Sequence, residues 1–139
     1  MTTDISLKPP RTEDFMLGKW MQKIATSVFN LQVFSTSETP TGEVWIGGEQ
    51  VFSKVVSLGA MPNTTTESVA HGLTGVTFLP GCTGMADNGS NFIPLPYVST
   101  TAVANHIQVQ IDGTNIKLTS GVDFSSYTSG YYVLKYKKT

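Results

Sequence analysis

A mainly β chain, built as a small antiparallel β-sandwich-like module behind one N-terminal α-helix, is what the sequence predicts, and three observations predict it. Ile107, Val109 and Ile111 alternate with Gln108 and Gln110 before Asp112-Gly113, the period-2 pattern of a strand running into a tight turn. Trp45 and Phe52 flank Gly47-Gly48 in the same manner. Before residue 35 the period changes: Leu17, Met21, Ile24, Val28 and Leu31 are spaced by four, three, four and three, an apolar heptad stripe.

The chain divides accordingly. Residues 1–11 contain Pro9-Pro10, have no apolar period, and read as an extended arm. Residues 12–34 read as an oligomerising helix with Thr12 as N-cap, followed by Glu13 and Asp14 where the helix dipole favours carboxylates. Trp20 and Phe15 widen the stripe, while Lys19, Gln22, Lys23 and Thr26 occupy the opposite side. Burying each stripe residue contributes ~1.5–3 kcal/mol, whereas ordering each residue costs ~1–2 kcal/mol of backbone entropy. Such a helix does not stand alone; it needs the β domain or copies of itself. Residues 35–41, with Pro40, form a polar linker, and residues 42–139 form the antiparallel β domain.

Within that domain, a four-residue loop over Gly47-Gly48-Glu49-Gln50 is expected to set Ile46 against Val51, Trp45 against Phe52 and Glu43 against Lys54. Phe52, Val56 and Leu58 then share one face with Trp45, and Val51 and Val55 share the other with Val44 and Ile46. An antiparallel ribbon normally keeps one wet face, so two apolar faces point to a partner. Ser68–Ala70 and Val76–Leu79 read as short strands, and 82–91 as a long glycine-rich loop suited to recognition. Phe92–Val98 alternates as a strand, but Pro94 and Pro96 restrict it to a sheet edge or a subunit border. A primed Asp112-Gly113 turn would pair Ile111 with Thr114, Val109 with Ile116 and Ile107 with Leu118. In the last strand Tyr132, Leu134 and Tyr136 share one face.

Composition narrows the function. The 139 residues carry a net charge of −1 and are only 14% charged, which supplies no basic field for nucleic acid. No apolar run has the length of a membrane span, and MTTDISLKPP lacks the apolar core of a signal peptide. The single Cys82 excludes an intrachain disulfide and suits synthesis in a reducing cytoplasm.

Chemistry is sparse. His71 and His106 each close or open a strand, where a structural role is the expectation. Ser68, His71 and Asp87 make a triad only on paper, with no nucleophile-elbow motif behind it. Asp87-Asn88-Gly89-Ser90-Asn91 lacks the alternating carboxylates of a calcium loop. No catalytic residue, metal or cofactor is expected. Tyr97, Tyr127 and Tyr131 are the candidate receptor contacts, since their rings could lie flat on a sugar. A polysaccharide hydrolase would require a pair of carboxylates that is not evident.

Trp45-Ile46-Gly47-Gly48-Glu49-Gln50-Val51-Phe52-Ser53-Lys54, then Pro62-Asn63-Thr64-Thr65 and Val69-Ala70-His71-Gly72, followed by Ile93–Val98, Asp112-Gly113-Thr114 and Gly130–Tyr136, occur in an order that resembles a known module. It is the small β module at the C-terminal end of tail-fibre and other structural proteins of tailed bacteriophages. The resemblance runs from about Gly42 to Lys138 and departs at Gly47 and Glu49, where the module commonly has an acidic residue and a lysine. It implies a virion component made in the host bacterial cytoplasm, free of catalytic residues and usually a homotrimer with intertwined chains. Residues 1–34 would then attach it to other virion proteins of capsid, neck or tail. The expected oligomer interface comprises Leu17, Trp20, Met21, Ile24, Val28 and Leu31 of the helix, with Val44, Ile46 and Val51 of the first hairpin. The alternative is a receptor-binding module that grips a host surface glycan through its β-domain loops.

Overall fold

The structure is a computed structural model that describes residues 33–139. The expected arm, and the expected helix as far as residue 32, lie outside these; Val33 and Phe34 are not helical. Ten strands follow: β1 (Thr39–Trp45), β2 (Glu49–Ser57), β3 (Thr66–Ala70), β4 (Val76–Phe78), β5 (Thr83–Asp87), β6 (Phe92–Leu95), β7 (Tyr97–Val98), β8 (His106–Ile111), β9 (Asn115–Ser120) and β10 (Ser129–Lys138). They form two antiparallel sheets. The larger runs β1-β2-β10-β5-β6, with β4 also paired to β10, and the smaller runs β3-β9-β8-β7.

Alternation along each strand places one core between the sheets. Tyr132, Leu134 and Tyr136 of β10 are buried with Val56 of β2, Ala86 of β5, and Ile93 and Leu95 of β6. From the smaller sheet come Ile107, Ile116 and Leu118. The shared face expected for Tyr132, Leu134 and Tyr136 is therefore the core face.

Both hairpin registers differ from expectation. In the first, Trp45 lies opposite Glu49 and Val44 opposite Gln50, a shift of three residues that puts Trp45 on the face of Val51 and Val55 and Val44 on that of Phe52 and Val56, the reverse of the expected faces. Gly47 and Gly48 both take positive φ, 92° and 87°, and close the turn early with Gly48 N donating to Trp45 O at 2.9 Å. A bulge between Pro40 and Val44, with Gly42 at φ 81°, takes up the extra residues. Phe52 instead stacks on Tyr136 of β10, ring centroids 6.2 Å apart, and Lys54 Nζ donates to the His71 carbonyl at 2.7 Å, leaving Glu43 to pair with Lys135.

In the second hairpin Ile111 faces Ile116, Val109 faces Leu118 and Ile107 faces Ser120. None of Asp112, Gly113 and Thr114 has a positive φ, so the turn is not of the primed type. Asp112 Oδ1 accepts from Thr114 N at 2.8 Å and Asn115 N at 2.7 Å, centring the turn on Gly113-Thr114. The shift is two residues, which preserves every side chain's face.

The expected glycine-rich loop over 82–91 contains β5, an interior strand between β10 and β6. Gly84 masks it in the sequence, since glycine weakens a strand unless something packs against it. Here the Tyr132 ring does. The edge position expected for Phe92–Val98 holds, but the segment is divided: β6 borders the larger sheet, β7 the smaller, and the cis Leu95–Pro96 peptide lies between them.

Candidate functional surface

Opposite the core, the larger sheet presents an apolar outer face. Strand pairing lines up Ser57, Tyr131, Met85 and Pro94 in one row across β2, β10, β5 and β6. The next row holds the half-buried Val55 and Val133 with Thr83, and on the other side Phe92 lies opposite Asp87. Met85 is 51% exposed, Tyr131 54% and Phe92 66%. Asp87 is the one charged group in these rows, and its carboxylate is occupied, Oδ1 by Gly89 N at 2.8 Å and Oδ2 by Ser129 Oγ at 3.1 Å. The patch is continuous because strand neighbours at one level stand about 5 Å apart.

The same face is polar toward the first hairpin. Lys135 reaches Glu43 at 2.9 Å and Lys137 reaches Glu49 at 2.7 Å. One end of the sheet thus meets water through ion pairs, and the other through methionine, proline and aromatic rings.

Where the chain reaches this sheet is also defined. Ser35 O accepts from Val55 N at 2.8 Å, so residues before β1 run beside β2 at the level of the Val55 row. Glu38 then fastens the incoming segment to β10: Tyr136 Oη donates to Oε2 at 2.7 Å and Lys138 Nζ lies 2.6 Å from Oε1. Lys138 also stands 4.7 Å over the Phe52 ring. The Lys138 and Tyr136 hydrogen bonds hold the Glu38 carboxyl below its ordinary range, and burial together with Glu38 pushes the Tyr136 phenol up.

Of the residues expected at an oligomer interface, Leu17, Trp20, Met21, Ile24, Val28 and Leu31 lie outside the described residues. Val44 and Ile46 are exposed at the first hairpin, 68% and 81%, whereas Val51 is buried. The three tyrosines do not converge. Tyr97 and Tyr127 pack on Phe124 at 5.8 and 6.1 Å, and Tyr131 lies on the outer face of the sheet. Met85 is masked in the sequence because β5 falls in an apparent loop, whereas Phe92 and Pro94 belong to the alternating segment expected at an edge. The alternation of Phe92 and Pro94 with the buried Ile93 and Leu95 was the available signal.

His71 is fully buried. Leu73 N donates to Nδ1 at 3.1 Å and Nε2 lies 2.9 Å from Asp112 O, which assigns the proton to Nε2 and leaves no lone pair for substrate or metal. His106 Nδ1 lies 3.1 Å from Val103 O. Cys82 is partly buried, its Sγ donating to Leu79 O at 3.3 Å and accepting from Lys135 N at 3.3 Å. Burial pushes this thiol up, away from the reactive thiolate. Among the described residues no three His, Cys, Asp or Glu side chains gather as a metal site.

No protein family, curated protein or solved structure matches this chain.

Proposed function

We propose that this chain is a structural component of a phage particle: a short trimeric fibre or decoration protein, attached through its N-terminal region, with the β domain projecting. The observation that carries this reading is a sheet that is apolar on both faces. Its inner face closes a core, while Met85, Phe92 and Tyr131 remain on the outer one. Repeated identical contacts around a symmetry axis bury such surface without a second kind of partner. The resemblance of residues 42–138 to a phage tail-fibre module supports it independently.

Light scattering on the protein at micromolar concentration tests the reading. The expected mass is that of three chains, with Ile24→Asp giving single chains; wild-type protein of one-chain mass overturns it. Antibody labelling of intact particles then locates the protein on capsid, neck or tail. The glycan-binding alternative draws less support, because Tyr97 and Tyr127 spend their faces on Phe124 and only Tyr131 offers an open ring.

A further inference from the structure

The turn between β5 and β6 holds the one Asn-Gly pair in the sequence, Asn88-Gly89. Attack of Gly89 N on Asn88 Cγ would close a five-membered succinimide ring, because only the Asn88 carbonyl carbon, Cα and Cβ lie between them. Gly89 leaves the way open: it takes φ 92°, and nothing lies within contact distance of a Cβ built on it. The nucleophile has a base beside it. Gly89 N donates to Asp87 Oδ1 at 2.8 Å, and Ser129 Oγ holds the other oxygen of that carboxylate at 3.1 Å. The electrophile is polarised as well. Asn88 Oδ1, the oxygen on which negative charge would develop, accepts from Ser90 N at 3.0 Å and Asn91 N at 2.7 Å. Since both partners of this atom are N–H donors, the contacts themselves identify it as the oxygen. A base at the nucleophile and two amides at the developing oxyanion are the parts an acyl transfer requires. Asp112-Gly113 supplies the contrast: Thr114 N and Asn115 N meet Asp112 Oδ1 in the same way, but an ionised carboxylate has no amine to expel.

We propose that Asn88 is a site of self-catalysed deamidation, with Gly89 N as nucleophile, Asp87 as general base and the Ser90 and Asn91 amides as the oxyanion site. Asp87 Oδ1 takes the proton of Gly89 N, whose electron pair forms the bond to Asn88 Cγ while the carbonyl pair moves onto Oδ1. Collapse of that adduct breaks the Cγ–Nδ2 bond, and Nδ2 leaves as ammonia with the proton from Asp87. Water then opens the succinimide: breaking N–Cγ gives aspartate, and breaking the original peptide bond gives isoaspartate. One water is consumed and one ammonia released, with no oxidant or cofactor. Either product places a second carboxylate next to Asp87, at the rim of the apolar outer face where Phe92 lies opposite Asp87. The isoaspartyl form also adds a methylene to the backbone of the β5–β6 turn. This inference needs a single folded chain and stands apart from the trimeric reading.

The test incubates the full-length protein at neutral pH in water labelled with heavy oxygen, once folded and once unfolded in urea, and follows residue 88 by peptide mass spectrometry. Unfolding keeps the Asn-Gly pair but removes Asp87 and the two amides from their places. The folded protein is expected to convert Asn88 roughly tenfold or more faster than the unfolded chain, with one heavy oxygen entering the product and isoaspartate detected by isoaspartyl methyltransferase. Equal rates, or a slower rate in the folded protein, overturn the proposal, as does conversion without uptake of heavy oxygen. In a companion experiment Asp87→Ala, shown by circular dichroism to keep its fold, is expected to bring the folded rate down to that of the unfolded chain. An unchanged folded rate in this variant overturns the proposal. Should Asp87→Ala fail to fold, the comparison of folded with unfolded wild type decides alone.

Discussion

Gly84 lies against the Tyr132 ring, and a Cβ built on it would stand 2.6 Å from Tyr131 O, a backbone atom with no freedom to withdraw. Gly84→Ala is therefore expected to destabilise the domain by ~1–3 kcal/mol, the usual cost of overpacking, read as a lower midpoint in urea unfolding. Glu38 makes a different kind of prediction. Its carboxyl is held below the ordinary range by Lys138 and Tyr136, so the folded state binds this proton less tightly than the unfolded chain. The stability it contributes is complete above the unfolded carboxylate range and disappears as pH falls through the depressed folded value. Melting temperatures of the wild type and Glu38→Gln should differ at neutral pH and converge in acid. A difference that stays constant with pH would show that the hydrogen bonds to Glu38 do not depend on its charge.

The two hairpins illustrate how turn chemistry outweighs pair preference. Trp45 against Phe52 is a favourable cross-strand pair, worth up to about 1 kcal/mol. Gly47 and Gly48, both at positive φ, close the loop before that pair can form. Neither has anything within contact distance of a built Cβ, so substitution there strains backbone alone. Gly47→Ala and Gly48→Ala are each expected to cost ~1–2 kcal/mol, measured by thermal or urea unfolding. In the β8–β9 hairpin the Asp112 side chain does the positioning. The Asn115 and Thr114 amides, with Lys117 beside them, keep this carboxyl far below the ordinary range. Asp112→Ala removes both acceptor bonds and should lower stability more than Asp112→Asn, which keeps an oxygen for the amides and loses only the exposed ion pair with Lys117. Equal losses would show that the charge, not the acceptor, holds the turn.

At the level of the folded chain, the two faces of the larger sheet decide what the protein can do alone. Fully burying a side chain such as Met85 or Phe92 is worth ~1.5–3 kcal/mol relative to full exposure, and the described domain forgoes part of that on its outer face. A chain beginning at Val33 should accordingly show a lower melting temperature than the full-length protein and bind a hydrophobic dye more strongly. Equal melting temperatures would show that residues 1–32 contribute nothing to covering the β domain. The Glu38 contacts add that the segment arriving at β1 is tied to the last strand.

The sequence alone determined the β character, most strand positions and the faces of the β8–β9 hairpin, because a period-2 pattern survives a register shift of two residues, whereas the shift of three in the first hairpin reversed the faces of Trp45 and Val44. Ile107, Val109 and Ile111 stayed on one face with Ile116 and Leu118 although their partners moved. It also carried the edge location of Phe92–Val98, since proline's missing donor is a local property. What only the tertiary structure decided depends on contacts distant in the chain. β5 is a strand because Tyr132, 48 positions away, packs on Gly84. His71 is inert because Asp112 O and Leu73 N occupy its ring nitrogens. The apolar surface appears when β10, β5 and β6 come side by side, and no period along one strand records which strands will be neighbours.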